Sequence, residues 1–138
     1  MDMEIVFPGG KKADALYKGF TIKTDQPPHG GGDGSAPAPF DLFLASFGTC
    51  AGVYVLYFCE KRNIPTEGIK VIQRTEKDPK KRMISRIEIE IQLPSGFPEK
   101  YKEAVARSAE LCAVTKHIYD PPAIDVHATI GGTNREKS

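Results

Sequence analysis

The sequence predicts an α+β domain in which antiparallel sheets and helices are segregated, and three stretches carry that prediction. Ile87-Glu88-Ile89-Glu90-Ile91-Gln92-Leu93 alternates apolar and polar residues without error, the period of a strand with one covered face. Residues 42–59 contain no formal charge and follow Pro39, which suits the first position of a helix. Tyr101, Ala104, Val105, Ser108, Leu111 and Cys112 recur at helical spacing. A chain of 138 residues, 40% hydrophobic and 27% charged, has enough apolar material for the core of one domain. Its net charge of +1 leaves no electrostatic footprint for nucleic acid, so none is expected as a partner.

Taken in order, residues 1–24 are expected to hold N-terminal strands, 3–7 and 13–24, with turns at Pro8-Gly9-Gly10 and Lys18-Gly19. Residues 25–38 are rich in glycine and proline and without periodicity. A loop of that length in a small domain points to a functional or interface role. The long helix should span 39–62, with Asp41 complementing the dipole of its first turn, and stop at Asn63-Ile64-Pro65. Such a helix is about 35 Å long and apolar on nearly every face, more than one small domain covers; a second subunit, hence a homodimer, is expected to bury the remainder. A β-hairpin over 69–93 turns at Lys77–Arg82, where Lys80, Lys81 and Arg82 should be solvated, as should Glu88 and Glu90 on the open strand face. A second helical region over 98–119 ends before Pro121-Pro122, a last strand lies within 122–130, and the tail 131–138 is polar and expected to fray. There is no internal repeat.

The uncharged run 42–59 approaches the length of a membrane span, but Ser46, Gly48, Thr49, Gly52, Cys50, Cys59 and two tyrosines interrupt it. No asymmetric Lys/Arg loop flanks it, so a buried helix and no membrane is the expectation. Met1–Gly10 has no basic start, apolar core or cleavage-like small residues, which predicts a cytoplasmic protein.

The three cysteines are too few for a disulfide scaffold and are explained one by one. Cys50 and Cys59 lie nine residues apart, about 900° around a helix, and so point to opposite faces. Cys50 with Cys112, from a different helix, can approach if the helices cross near them, and is the pair expected to do so. Buried, inert thiols filling apolar space are the alternative, and periodicity alone favours it. Should the chain stop and restart at Cys112, that residue would sit at a fresh helix N-terminus, where a thiolate is favoured. Other motifs fail. His29-Gly30-Gly31-Gly32 is not accompanied by a Gly-x-Ser-x-Gly elbow, and the Gly-rich loop lacks the Lys-Ser/Thr of a phosphate-binding loop. His29, His117 and His127 fall at no ligand spacing, so neither metal nor cofactor is expected.

Asp33-Gly-Ser-Ala-Pro37-Ala-Pro39-Phe-Asp41-Leu42-Phe-Leu44-Ala45-Ser-Phe-Gly48-Thr-Cys50, followed downstream by Glu110-Leu-Cys112-Ala-Val114-Thr-Lys116, resembles the OsmC/Ohr family of osmotically inducible and organic hydroperoxide resistance proteins. The resemblance spans nearly the whole chain. It implies an OsmC-like fold, an intertwined homodimer in which sheets wrap two long central helices, and thiol-dependent reduction of organic hydroperoxides at the subunit interface. It further implies that Cys50 is the attacking thiolate, that Cys112 resolves it as a disulfide, and that a small dithiol or lipoyl-type donor restores both. Two positions depart from the family pattern. Phe40 stands where the hydroperoxide reductases carry a Glu, with the acid one place later at Asp41, and residues 18–38 contain no arginine. Asp41, His29 and Lys23, with Lys18, are the candidate supporting residues, although helical arithmetic turns Asp41 away from Cys50. A non-catalytic dimer of the same fold, holding a small apolar ligand among Phe43, Phe47, Tyr54 and Tyr57, is the alternative reading.

Overall fold

The computed structural model describes residues 2–131, so the tail expected to fray lies almost entirely outside the described residues. The chain opens with an antiparallel meander of β1 (Glu4–Val6), β2 (Asp14–Tyr17) and β3 (Phe20–Ile22), in the order β1-β2-β3. Tyr17 pairs with Phe20 across a two-residue turn in which Lys18 and Gly19 both take positive φ, 52° and 80°. Two positive φ values in succession make the turn whose twist matches that of the flanking strands.

The Gly-rich loop is not loose. Asp25, at its head, is 1% exposed. Its carboxylate accepts hydrogen bonds from Ser35 Oγ (2.6 Å) and from the backbone N–H of Ser35 (3.0 Å), Asp33 (3.3 Å) and Gln26 (2.7 Å). The Lys12 ammonium lies 4.0 Å from this carboxylate and 2.9 Å from that of Asp33. A Cβ on Gly32 would sit 2.7 Å from Asp25 Oδ1, so the loop closes on the carboxylate only because residue 32 has no side chain. Asp25 N–H also bonds to Pro37 O, tying the loop's start to its end beside the next helix.

That helix, α1 (Pro39–Lys61), begins with Pro39 at its first position, and Asp41 Oδ2 accepts the Ala38 N–H at 3.0 Å. At its C-terminus Asn63 takes φ +54°, while Asn63 N–H and Ile64 N–H bond back to Glu60 O and Cys59 O. This is a Schellman cap, which satisfies the last carbonyls before Pro65 prevents continuation. The hairpin follows as β4 (Lys70–Asp78) and β5 (Met83–Gln92), with the Asp78 carboxylate accepting Lys80 and Lys81 N–H in the turn. On β5, Ile87, Ile89 and Ile91 are partly buried while Glu88 and Glu90 face outward, and Glu90 is paired with Arg74 on β4 at 2.8 Å. A 3₁₀ turn (Glu99–Tyr101) leads into α2 (Lys102–Glu110), and α3 (Ala113–Tyr119) follows after a break.

The core joins α1 to α2 and the inner face of β5. Ala51, Val55, Phe58 and Cys59 pack with Ile64, Val105 and Ala109, flanked by Tyr54, Ile89, Ile91, Phe97 and Tyr101. Burial of this cluster is the main stabilising term. α1 is long and apolar enough to cross a membrane by length and composition alone, a test that core helices also pass, and its most apolar window is 28% buried within the chain. Phe40, Phe43, Leu56 and Tyr57 are exposed along it.

The strand expected over 122–130 is not formed. Residues 121–130 carry no strand assignment, and Ile124, Val126 and Ile130 are 84%, 91% and 101% exposed. The alternating pattern is present, but an extended segment becomes a strand only when a neighbouring edge pairs with it.

Asp25 supplies a test. Hydrogen bonds from the Ser35 hydroxyl and backbone, opposed by burial and assisted by Gln26 and Lys12, lower its carboxyl from 3.8 to about 2. A depressed carboxyl contributes stability that is present above about pH 4 and lost as pH falls toward about 2. Asp25→Asn should lower the denaturation midpoint at pH 7 and flatten its decline between those pH values. An unchanged acid limb would refute this role.

Candidate functional site

The geometry of α1 separates its two cysteines. Cys59 belongs to the buried stripe and is 0% exposed; burial pushes its thiol up, with Arg62 opposing. Cys50 is half-buried. It falls in line with Phe43 and Tyr57, seven residues before and after, both exposed, so it lies on the seam between the packed and open faces of the helix.

Cys112 owes its position to the interruption of the second helical region. The α-helix stops at Glu110, Leu111 takes φ −114° and ψ 54°, and Cys112, at φ −70° and ψ 168°, is the extended residue that starts α3. Lys116 N–H bonds to Cys112 O at 2.9 Å, closing the first turn. The side chain of Cys112 is fully buried, with Thr115 Oγ1 3.3 Å from its sulfur. Burial raises the Cys112 thiol, but the Thr115 hydroxyl, the Thr115 amide, the Cys50 thiol and the Val114 amide outweigh it, and the net shift is downward. The Cys50 thiol is one of the groups acting on Cys112, which places the two free thiols near one another where α3 packs on α1. Two free thiols on neighbouring helices, one of them shifted toward the thiolate, are the raw material of thiol–disulfide exchange.

The candidate supporting residues lie elsewhere. Asp41 is exposed and engaged with the Ala38 N–H, about 13 Å along the helix from Cys50. His29 is exposed in a 3₁₀ turn (Pro28–Gly30), Lys23 is exposed, and the Lys18 ammonium lies over the Tyr17 ring at 5.1 Å. Among the described residues no hydrogen bond or ion pair joins any of the four to a cysteine, and no group of three or more His, Cys, Asp or Glu is placed to hold a metal. Two residues that sequence reasoning passed over do shape the site. Thr115 stands three places after Cys112, the spacing of a capping pair, which was the available signal. Gln73 on β4 donates to Leu44 O at 2.8 Å, and a Cβ on Gly48 would meet its Oε1 at 2.6 Å, so Gly48 lets the hairpin close onto α1.

A cleft of about 1820 Å³ opens between β5, the N-terminal half of α1, α2 and α3, lined by Phe43, Phe47, Ala51, Ile89, Val105 and Thr115 among others. Phe40, Phe43 and Phe47 form a ladder of rings along its α1 wall, with centroids 5.4 and 5.1 Å apart.

A meander, a long central helix, a hairpin and a second helical region broken at Cys112 define an α+β protein. The family of OsmC-like proteins matches residues 32–127, and the chain belongs to that family. The expected resemblance and fold are thus established. Solved structures share the fold at low identity. A Psychrobacter arcticus protein named for osmotic stress and detoxification responses has TM-score 0.70 and 22% identity, over 83% of this chain and 85% of its own. The organic hydroperoxide resistance protein OsmC of Legionella pneumophila has TM-score 0.52 and 19% identity, over 86% and 89%. OhrB of Bacillus subtilis, an organic hydroperoxide resistance protein, has TM-score 0.52 and 16% identity, over 88% and 93%. No curated protein sequence matches this chain significantly.

The assignment of Cys59 to packing has a direct check. Cys59 should alkylate only on denaturation, whereas Cys50 reacts in the native protein, as read by peptide mass mapping after a small alkylating agent. Cys59→Ala should cost about 1–2 kcal/mol. Equal native labelling of Cys59 and Cys50 would contradict it.

Proposed function

We propose that the protein is a cytoplasmic homodimer that reduces organic hydroperoxides through Cys50 and Cys112. The observation that carries this reading is the pair of free thiols brought near one another where α3 packs on α1, in a chain of the OsmC-like family. Cys50, the less buried of the two, attacks the terminal peroxide oxygen. The O–O bond breaks, an alcohol leaves, and Cys50 becomes a sulfenic acid. Cys112 then displaces hydroxide from that sulfur to form the disulfide. A small dithiol or lipoyl-type donor exchanges with the disulfide, returning both thiols and becoming oxidised itself.

Three features support the dimer. Phe40, Phe43, Val53, Leu56 and Tyr57 leave apolar surface exposed along α1, and residues 124–130 present an alternating apolar segment. The cleft, at about 1820 Å³, exceeds the roughly 300–1,000 Å³ of small-ligand pockets and suits a second copy of the chain. Cys50 on the seam of α1 then lies at the edge of the interface, where Phe43 and Tyr57 give an apolar surround for the organic part of the peroxide.

Substoichiometric cumene hydroperoxide should yield a Cys50–Cys112 disulfide on peptide mapping, and Cys50→Ser should abolish peroxide consumption. A free Cys50 thiol after treatment, or unchanged consumption by Cys50→Ser, would sink the reading. Light scattering should give a mass near twice 15.1 kDa, and a monodisperse monomer would overturn the dimer. The aromatic ladder Phe40–Phe43–Phe47 favours a second reading, a non-catalytic dimer binding a small apolar ligand. Thiols inert to peroxide together with saturable binding of an apolar fluorophore would select it.

A further inference from the structure

Two apolar surfaces of the chain are left uncovered. In the meander, Ile5 and Ile22 both pair with Ala15, and Phe20 pairs with Tyr17, so these five side chains stand on one face of the sheet. Glu4, Asp14 and Thr21 fall on the other. The apolar face is nonetheless open: Ile5, Phe20 and Ile22 are 49%, 70% and 37% exposed, and among the described residues none from the meander enters the core. The second surface is the side of α1 turned from its buried stripe, where Val53, Leu56 and Tyr57 are 39%, 51% and 56% exposed. With 11165 Å² accessible, this chain of 15.1 kDa exposes about 4,000 Å² more than a compact monomer of its mass. Half of that excess from each of two copies falls within the roughly 2,000–5,000 Å² that permanent dimers bury.

Polar ties hold the meander to the rest of the chain. Thr24 Oγ1 donates to Ala13 O and Ala13 N–H bonds to Thr24 O, which fastens the start of β2 to the head of the Gly-rich loop. Lys12, between β1 and β2, reaches the carboxylates of Asp25 and Asp33, and Asp25 N–H bonds to Pro37 O just before α1. The sheet is thereby set at a fixed angle to the helix with its apolar face outward. We propose that the meander is an arm whose apolar face closes on the open side of α1 in a second copy, the exchange being mutual. The inference rests on the dimer of the reading above and names the surfaces that make it. One chain supplies both the arm and the seat for it, so two copies related by a two-fold axis cover all four surfaces, whereas an unrelated partner would have to match each separately. Residues 121–130 also expose apolar side chains, but they are a single unpaired segment, while the arm is a preformed sheet of three strands. Because Cys50 lies on the seam between the packed and open sides of α1, the arm of the second copy forms the wall beside it that one chain lacks.

A photo-crosslinking benzophenone side chain in place of Leu56, in a mixture of isotopically light and heavy copies, tests the seat. The crosslinked peptide should come from residues 3–22 of the other copy. Crosslinks to α1 or to residues 121–130 of the other copy, in a particle of dimer mass, overturn the arm and leave the dimer standing. Phe20→Lys places a charge on a side chain that a lone chain leaves in water. It should retain the wild-type circular dichroism, raise the dimer dissociation constant by about tenfold or more, and speed native alkylation of Cys50 by a bulky maleimide. An unchanged dissociation constant and alkylation rate in Phe20→Lys overturn the inference even if the crosslinker disturbs assembly. If the unmodified protein is a monodisperse monomer, it is the dimer reading that fails, and the arm with it.

Discussion

The stripe of α1 formed by Phe47, Ala51, Val55, Phe58 and Cys59, buried largely against α2 and the inner face of β5, is the contact on which the remaining structure depends. It sets the rotation of the helix, and rotation decides the fate of every other residue on it. Cys59 falls inside the packed stripe and becomes core. Cys50, displaced to the seam, stays half accessible. The residues beyond it are left open, because one small chain has only one sheet face and two short helices to lay against some 34 Å of apolar helix.

Around that contact the chain spends its polar groups on holding loops in place. Asp25 gathers the Gly-rich loop, Lys12 joins it to Asp33, and Asp41 steadies the start of α1. The same carboxylates are therefore not free to tune a thiol. Thr115 and two backbone amides favour the thiolate of Cys112 instead, an arrangement created by ending one helix at Glu110 and starting another at Cys112. A continuous helix would leave those amides bonded to the preceding turn and unable to face the sulfur.

Much of the architecture was legible in local pattern. The alternation of Ile87–Leu93, the Pro39 start and Asn63–Pro65 stop of α1, and the turn at Lys18-Gly19 each depend on neighbours within a few residues, and each is formed. The segment 124–130 carries the same strand alternation and forms no strand, because pairing needs an edge that local sequence does not provide. Asp25 was unremarkable in sequence, since its importance comes from Ser35 and Asp33, ten and eight residues away across a loop without periodicity.

The site divides in the same way. Helical spacing by itself determined that Cys50 and Cys59 face apart and that any partner of Cys50 comes from another helix, because 3.6 residues per turn is a property of the backbone. Whether Cys112 comes near Cys50, and which groups surround each sulfur, was decided only by the packing of α3 on α1. The contact of Thr115 with the Cys112 sulfur, and the burial that opposes a thiolate there, depend on distances that the order of residues along the chain does not contain.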